Sequence, residues 1–301
     1  SLDGSKMTIT APSTYVGKSL QLLWGETATE GVYAHTNTVC DAVDSSGGQY
    51  TVDLKEAGIQ NGTELHLWAC RRYLVLDKIY QPSTLYVNTG IKDSAVYGVR
   101  LGFCLEQAFT TDATFRNVIG TGATSAELTS KGGIIPDTSA FTVGFRQHST
   151  EGLKLYYESQ GAVNSDRIAV AEGEILDIAF TNGVLSIGGV SKKTGMNLSP
   201  VGQISDYTNR VMLVGRWDNP KNTRAGQGWW SHVQFAGEGG KLILDYVPVK
   251  DCANGTVGFF NRAAETPGVV ATSGSGSLAT TSSGSDKESA PTGEYIETDQ
   301  E

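Results

Sequence analysis

The sequence predicts an all-β protein built from two β-sandwich domains. Glycine is frequent, with 37 residues, whereas charged residues make up only 18% of the chain. The apolar residues fall into many short segments separated by glycine-containing turns, and no segment indicates a helix of more than about two turns. Short apolar runs bounded by turns are typical of sandwich and barrel folds.

Residues 6–76 are expected to form the first domain, a small immunoglobulin-like β-sandwich. The run Gln49–Leu54 alternates apolar and polar residues directly after Gly47-Gly48, which predicts a strand that follows a tight turn. Asn61-Gly62 predicts a second turn of this kind. The predicted strands are Met7–Thr10, Ser19–Trp24, Val39–Val43, Gln49–Leu54 and Glu64–Cys70.

Residues 77–278 are expected to form the second domain, in which two sheets enclose the core. Asn182-Gly183 separates two apolar runs and favours a two-residue β-hairpin, so that Leu176, Ile178 and Phe180 share one packing face. The predicted strands are Tyr97–Leu105, Phe141–Arg146, Leu153–Glu158, Arg167–Val170, Ile175–Phe180, Val184–Ile187, Val211–Arg216, Trp229–Phe235, Lys241–Pro248 and Thr256–Phe260.

Residues 279–301 are predicted to be a Ser/Gly/Thr-rich linker or tail, because such a composition cannot bury a core of its own. Within it, Glu294–Asp299 is similar to the phrase Tyr86–Gly90 near the start of the second domain. Two interpretations stay open for Glu294–Asp299: the beginning of a further segment of a longer modular protein, or an ordinary acidic tail.

Three stretches carry a resemblance to known modules. Gly240–Leu278, with Lys-Leu-Ile-Leu-Asp-Tyr-Val-Pro-Val-Lys followed by Asn-Gly-Thr-Val-Gly-Phe-Phe-Asn-Arg, resembles the closing hairpins of a concanavalin A-like (laminin G-like) jelly-roll module of bacterial surface proteins. Tyr86–Gly90 is similar to the phrase that opens such modules. Leu22–Thr27 together with Gly47–Leu54 resembles the small β-sandwich modules that precede them. The resemblance implies a binding unit that faces a glycan or a matrix ligand.

Charge and hydropathy narrow the classes of partner. The net charge of −9 and the absence of a Lys/Arg cluster disfavour nucleic acid, and no apolar run is long enough for a membrane span. The polar start at Ser1–Ser5 is not a secretory signal. Because the chain begins with Ser, we interpret it as part of a longer protein, and the missing signal does not bear on location.

The four cysteines form no CxxC pair and no zinc spacing. Cys40 and Cys70 are candidates for a bridge between two strands of the first domain, although free buried thiols are the favoured alternative. Cys104 follows Leu-Gly-Phe in a predicted strand, so it is expected to be buried and inert. The remaining cysteine is Cys252.

The favoured binding site is an expected loop that follows the strand ending near Arg216. Its Trp217 is a candidate for stacking on a sugar ring, while neighbouring polar side chains would bond to the hydroxyl groups of the sugar. The alternative is that Trp217 packs beneath the loop as a structural plug. The candidate ligand-binding residues of the loop are Arg216, Trp217, Asp218, Asn219, Asn222 and Arg224.

Trp229-Trp230 opens the following strand. Because neighbours in a strand point to opposite faces, Trp229 is expected in the core with Val233 and Phe235, and Trp230 is expected to face outward. An outward Trp230 would extend the aromatic surface at Trp217, so Trp230 is included among the candidate ligand-binding residues. The alternative is that both rings have structural roles.

Catalysis and metal binding receive less support. Glu174 and Asp177 lie three residues apart and should point to opposite faces of a strand, which disfavours the paired carboxylates of a glycosidase. No cofactor is required by the sequence. Calcium remains an open alternative, although the acidic residues in expected loops form no spaced cluster. These loop residues are Asp112, Asp166, Asp206 and Asp218.

These observations favour a non-catalytic carbohydrate-binding or adhesive module of a bacterial protein that is secreted or exposed on the cell surface. The expected partner is a glycan or a host or matrix surface ligand. One alternative is a structural spacer that binds proteins. A glycoside hydrolase or lyase on the same fold is the least favoured alternative.

Overall fold

The structure is a computed structural model. It describes residues 5–15, 18–25, 35–40, 48–60, 62–92, 95–106, 115–122, 141–148, 152–159, 162–163, 168–171, 173–194, 210–213, 226–252, 254–264, 268–269, 273–274, 277–282 and 287–299.

The described residues form β-strands and contain no α-helix, so the all-β prediction is confirmed. Within the described residues, short 3-10 helices include Ser13–Tyr15 and Glu238–Gly240. The strands are β1 (Lys6–Thr10), β2 (Lys18–Trp24), β3 (His35–Cys40), β4 (Gln49–Asp53), β5 (His66–Leu76), β6 (Ile79–Gln81), β7 (Leu85–Lys92), β8 (Gly98–Leu105), β9 (Phe115–Gly122), β10 (Phe141–His148), β11 (Gly152–Ser159), β12 (Ala162–Val163), β13 (Ile168–Ala169), β14 (Leu176–Thr181), β15 (Val184–Ile187), β16 (Val190–Lys193), β17 (Arg210–Leu213), β18 (Gly228–Ala236), β19 (Leu242–Asp251), β20 (Val257–Asn261), β21 (Gly268–Val269), β22 (Ser273–Gly274) and β23 (Pro291–Asp299).

The chain divides into two compact units. The first comprises Ser1–Val75, Val249–Thr256 and Pro291–Glu301, and the second comprises Leu76–Pro248 and Val257–Ala290. The division after Val75 lies next to the boundary that the sequence predicts at residue 77. The two C-terminal segments of the first unit were not predicted.

Two sheets enclose the core of the first unit. One sheet pairs β1 with β4, and the other contains β3, β2 and β5, with β23 and the end of β19 also paired to β5. Alternate residues of β2 face inward, where Leu20, Leu22 and Trp24 are buried together with Val52 of β4. Because side chains alternate along a strand, the intervening residues of β2 and β5 lie on the outer face of this sheet.

The prediction of a linker or tail for residues 279–301 is wrong for the described part of that segment. Residues 291–299 form β23, which pairs with β5. In the second unit, Asp77 N–H donates to the carbonyl of Ala290 at 2.9 Å, and Lys287 Nζ lies 3.1 Å from Glu106 Oε1. The composition argument concerned apolar burial, whereas an exposed strand is stabilised by backbone hydrogen bonds to a neighbour.

The second unit is also a sandwich. One of its sheets has the order β16-β15-β14-β8-β18-β19, and β6, β20 and β21 extend it by pairing with β18, β19 and β20, respectively. The other sheet has the order β12-β11-β10-β9-β17-β7-β22, with β13 paired to β11. Buried side chains from both sheets form one core, in which Phe103 of β8 stacks on Phe145 of β10 with ring centroids 6.0 Å apart.

The predicted hairpin at Asn182-Gly183 is confirmed. Thr181 pairs with Val184, and both turn residues have positive φ, 51° for Asn182 and 74° for Gly183. This is the conformation that a two-residue turn of type I′ requires, and Asn-Gly adopts it readily. Ile178 and Phe180 are fully buried, as the predicted packing face requires.

Candidate functional site

The predicted binding loop lies outside the described residues. This applies to Arg216, Trp217, Asp218, Asn219, Asn222 and Arg224. It applies equally to the acidic residues considered for calcium, which are Asp112, Asp166, Asp206 and Asp218. The loop therefore stays a prediction.

Trp230 is described, and the prediction that it faces outward is wrong. The ring is fully buried and packs edge-on against Phe103, with centroids 4.6 Å apart. The cause is a β-bulge in β18: Trp230 pairs with Phe103, but the next partner of β8, Gly102, pairs with His232. Ser231 is the extra residue, so the alternation shifts by one and Trp230 joins Val233 in the core.

Trp229 lies on the opposite face of β18, but it is buried as well. Its ring contacts Tyr80 of β6 at a centroid distance of 5.5 Å, and Lys78 Nζ lies 5.4 Å from the ring centroid. Both tryptophans therefore have structural roles, and neither offers a surface to a ligand.

Aromatic side chains are instead exposed on the first unit. Trp68 of β5 is 39% exposed and Tyr295 of β23 is 42% exposed. Ala69, the neighbour of Trp68, pairs with the buried Leu20 and contacts the core, so Trp68 lies on the outer face of the sheet. Trp68 pairs with Gln21 of β2, whose side chain therefore shares that face.

Tyr295 and Glu297 reach the same outer face from β23. The guanidinium carbon of Arg72 lies 3.7 Å from the centroid of the Tyr295 ring, and the Cys70 thiol donates to Glu297 Oε2 at 3.3 Å. At these contacts β5 and β23 therefore run antiparallel to each other. Because Trp68, Cys70 and Arg72 alternate along β5, all of these side chains lie in one row.

Glu297 contacts several residues of this row. Its Oε2 accepts a hydrogen bond from the Gln21 side-chain amide, and its Oε1 lies 3.4 Å from Arg72 Nε. We call the surface formed by Gln21, Trp68, Arg72, Tyr295 and Glu297 the aromatic–polar face. All five residues belong to the first unit.

The aromatic–polar face combines two kinds of recognition. The exposed aromatic rings offer flat apolar surfaces, while the amide, guanidinium and carboxylate groups offer planar hydrogen-bonding edges. Arg72 and Glu297 compensate each other in charge, so the face has no strong net charge of its own. This arrangement suits a ligand with apolar ring faces and hydroxyl edges.

A separate polar cluster lies on the outer face of β8, β14 and β18 in the second unit. Arg100 donates to both carboxylate oxygens of Asp177, at 3.0 and 2.9 Å, and His232 Nε2 lies 3.4 Å from Asp177 Oδ1. Ser231 Oγ lies 3.1 Å from His232 Nδ1. Gly102 pairs with both Asp177 and His232, and a Cβ there would lie 1.9 Å from Ser231 Oγ.

The electrostatics of this cluster are those of a structural network. The hydrogen bonds from Arg100 lower the pKa of Asp177, so the carboxylate is ionised at neutral pH. Partial burial lowers the pKa of His232, so the imidazole is neutral there. Asp177 is held by Arg100 on both oxygens, whereas Glu174 is exposed before β14 begins. Among the described residues, Glu174 is therefore not placed as a second carboxyl group beside Asp177, as the paired carboxylates of a glycosidase would be.

Cysteine, metal and membrane features were also predicted from sequence. Cys70 and Cys104 are buried, and burial raises the pKa of the Cys104 thiol, as expected for an inert residue. The side chain of Cys40 lies outside the described residues, so the bridge between Cys40 and Cys70 stays a prediction. The described part of the chain contains no group of three His, Cys, Asp or Glu side chains placed to hold a metal ion. Its helices are also too short to cross a bilayer.

Sequence reasoning missed the aromatic–polar face. The alternation of Trp68, Cys70 and Arg72 was visible, but the predicted strand ended at Cys70, before Arg72. Tyr295 and Glu297 also alternate, and they lie in the segment that was predicted to be a linker or tail. Recognising Glu294–Asp299 as a strand of the same protein would have identified the second half of the row.

Comparison with known proteins does not assign the chain to a family. No family model matches the sequence, and no curated protein matches it. A crystal structure from Bacteroides ovatus, of a protein provisionally described as carbohydrate binding, covers 92% of this chain and 95% of its own length. The two sequences are 11% identical and the TM-score is 0.34, so the match carries no argument about function.

Proposed function

We propose that this protein is a non-catalytic carbohydrate-binding or adhesive module of a bacterial surface or secreted protein, and that the aromatic–polar face contacts the sugar. The observation that carries the proposal is the exposure of Trp68 and Tyr295 on one sheet face beside Gln21, Arg72 and Glu297. Rings of Trp and Tyr pack against the C–H face of a sugar, while planar polar groups bond to its hydroxyl edge.

The layout of the face favours a glycan over a protein partner. The centre of a protein interface is depleted of charged residues and contains clustered apolar anchors. Here the two aromatic rings are separated along the row by Glu297, which is bonded to Gln21 and paired with Arg72. Alternating apolar and hydroxyl-bonding positions match the surface of a sugar chain, which presents ring faces and hydroxyl groups in turn.

The second unit retains a proposed role of its own. Its resemblance to a concanavalin A-like jelly roll is supported by the hairpin at Asn182-Gly183 and by the sandwich of two antiparallel sheets. The loop from Arg216 to Arg224 would then offer a second contact through Trp217. The domain boundaries at residues 76 and 278 belong to the same proposal.

Glycan-array binding of the purified protein tests the proposal. Trp68→Ala and Tyr295→Ala should each abolish or strongly weaken the signal, because each removes an exposed ring. The matched control is Val190→Ala, which truncates an apolar side chain that is 58% exposed on the second unit. The fold of each variant is checked by its circular dichroism spectrum.

Three results would redirect the proposal. Loss of binding in Trp217→Ala with full binding in Trp68→Ala would transfer the site to the predicted loop. Absence of binding to every glycan, together with capture of a protein ligand, would support the spacer or protein-binding alternative. Release of reducing ends from a bound polysaccharide would support the hydrolase alternative.

A further inference from the structure

We infer that the aromatic–polar face binds a linear, neutral glycan that runs along β5 and spans about three sugar rings between Trp68 and Tyr295. The inference rests on the proposed function, because it specifies the ligand of the same site. It follows from the spacing of the two rings, the groups between them and the charge of the row.

The spacing comes from the strand geometry. Tyr295 lies against Arg72, and Trp68 precedes Arg72 by four residues on the same face of β5. At 3.2–3.4 Å per residue, Trp68 lies about 13 Å from the Arg72–Tyr295 contact. One sugar ring cannot contact both aromatic side chains over this distance, whereas an extended chain of about three linked rings can.

The groups between the two rings are polar and fixed in place. Glu297 lies over the buried Cys70, midway between Trp68 and Arg72 along β5, and accepts hydrogen bonds from the Cys70 thiol and the Gln21 amide. The Gln21 amide nitrogen donates to Glu297, and the oxygen of the same amide is a hydrogen-bond acceptor. Hydroxyl groups of a central sugar can bond to Gln21 and Glu297 while the flanking sugars stack on Trp68 and Tyr295.

The charge of the row selects against acidic sugars. The Arg72 guanidinium is packed on Tyr295 and lies beside Glu297, so its charge is already compensated. Because Arg72 and Glu297 compensate each other, a uronate or sulfate group at the centre of the row would gain no net attraction there and would lie next to the Glu297 carboxylate. The row therefore complements neutral chains.

Isothermal titration with size-graded oligosaccharides tests the inference. The probes are gluco-, xylo- and manno-oligosaccharides of one to six units, with oligogalacturonates of the same lengths as acidic controls. We expect affinity for at least one neutral series to rise about tenfold or more between one and four units and then to level off, as the second ring is reached. Oligogalacturonates should bind more weakly than neutral chains of equal length.

Two variants distinguish stacking from folding effects. Trp68→Ala should remove the gain between two and four units, so that the tetramer binds about as weakly as the dimer. Trp68→Tyr keeps a stacking ring at this position and should retain most of the gain. If Trp68→Ala is misfolded by circular dichroism, Tyr295→Ala takes its place, and a folded Tyr295→Ala variant that keeps the full gain would overturn the inference.

The outcomes separate this inference from the proposed function. Equal affinity for a monosaccharide and a hexasaccharide, or preference for oligogalacturonates, would overturn the linear neutral ligand but leave glycan binding intact. Loss of length dependence in Val190→Ala as well would show that the gain does not come from this face. Absence of binding to all of these probes and to the glycan array would overturn both.

Discussion

The guanidinium carbon of Arg72 lies 3.7 Å from the centre of the Tyr295 ring, and this contact joins β5 to the C-terminal strand β23. Stacking of a guanidinium on an aromatic ring at this distance is attractive and directional. Next to it, Glu297 lies against both Arg72 and Cys70. The C-terminal strand therefore completes the outer face of the first unit as well as extending its sheet.

Removal of β23 should uncover Cys70. The thiol is 2% exposed and contacts Glu297, so it should react slowly with a thiol reagent in the full chain. Truncation after Ala290 removes Tyr295 and Glu297 and should make Cys70 react much faster, because the Glu297 side chain no longer covers the thiol. The measurement is the rate of reaction with Ellman's reagent.

The control for this experiment is Cys70→Ala in both the full and the truncated chain, which isolates the signal of this thiol from those of Cys40, Cys104 and Cys252. An unchanged rate after truncation would show that β23 does not cover Cys70 in solution.

Substitution of two tryptophans should lower stability by different amounts, because one ring is buried and the other is exposed. Trp230 has no exposed surface and packs on Phe103 and Phe259, so Trp230→Ala should lower the free energy of unfolding by about 3–5 kcal/mol. Trp68 is 39% exposed, and Trp68→Ala should cost about 1 kcal/mol or less. Urea unfolding followed by circular dichroism measures both. Similar losses in the two variants would contradict the bulge at Ser231 that directs Trp230 inward.

The turn at Asn182-Gly183 is a third point at which stability can be measured. Asn182 has a positive φ of 51°, which Asn and Gly tolerate better than residues with an ordinary Cβ. Asn182→Ala should therefore lower the free energy of unfolding by about 1 kcal/mol, whereas Asn182→Gly should be close to neutral. Thermal unfolding compares the two. A loss in Asn182→Gly as large as that in Asn182→Ala would indicate that the Asn side chain, and not the backbone conformation, stabilises the turn.

Local patterns predicted much of the fold because they act within a few residues. The alternation of Leu176, Ile178 and Phe180 and the Asn-Gly turn specify β14 and β15 without distant partners. The same counting failed at Trp230, because one extra residue in β18 reverses the alternation and depends on how β18 pairs with Gly102.

The aromatic–polar face was missed for a related reason. Its two halves lie on β5 and β23, which are far apart in the sequence, and β23 has little apolar character of its own. Its formation depends on backbone pairing with β5, and neither composition nor hydrophobic periodicity reports such pairing. Short alternating segments near a chain terminus therefore need to be tested as edge strands before they are assigned to a linker.

The polar cluster of the second unit predicts how stability depends on pH. Partial burial lowers the pKa of His232 below its unfolded value near 6.5, and attraction to Asp177 offsets only part of that effect. Between the unfolded and the folded pKa, the unfolded chain binds more protons, so the free energy of unfolding should fall as pH is lowered from 7 through 6. Above the unfolded pKa, His232 is neutral in both states and contributes no pH dependence. Urea unfolding at pH 8, 7, 6 and 5 measures how the free energy of unfolding depends on pH. His232→Gln should flatten this dependence between pH 7 and 5. A separate loss of stability should remain in the variant at lower pH, where Asp177 is protonated and loses its bonds to Arg100. Equal slopes in wild type and His232→Gln between pH 7 and 5 would show that burial does not lower the pKa of this imidazole.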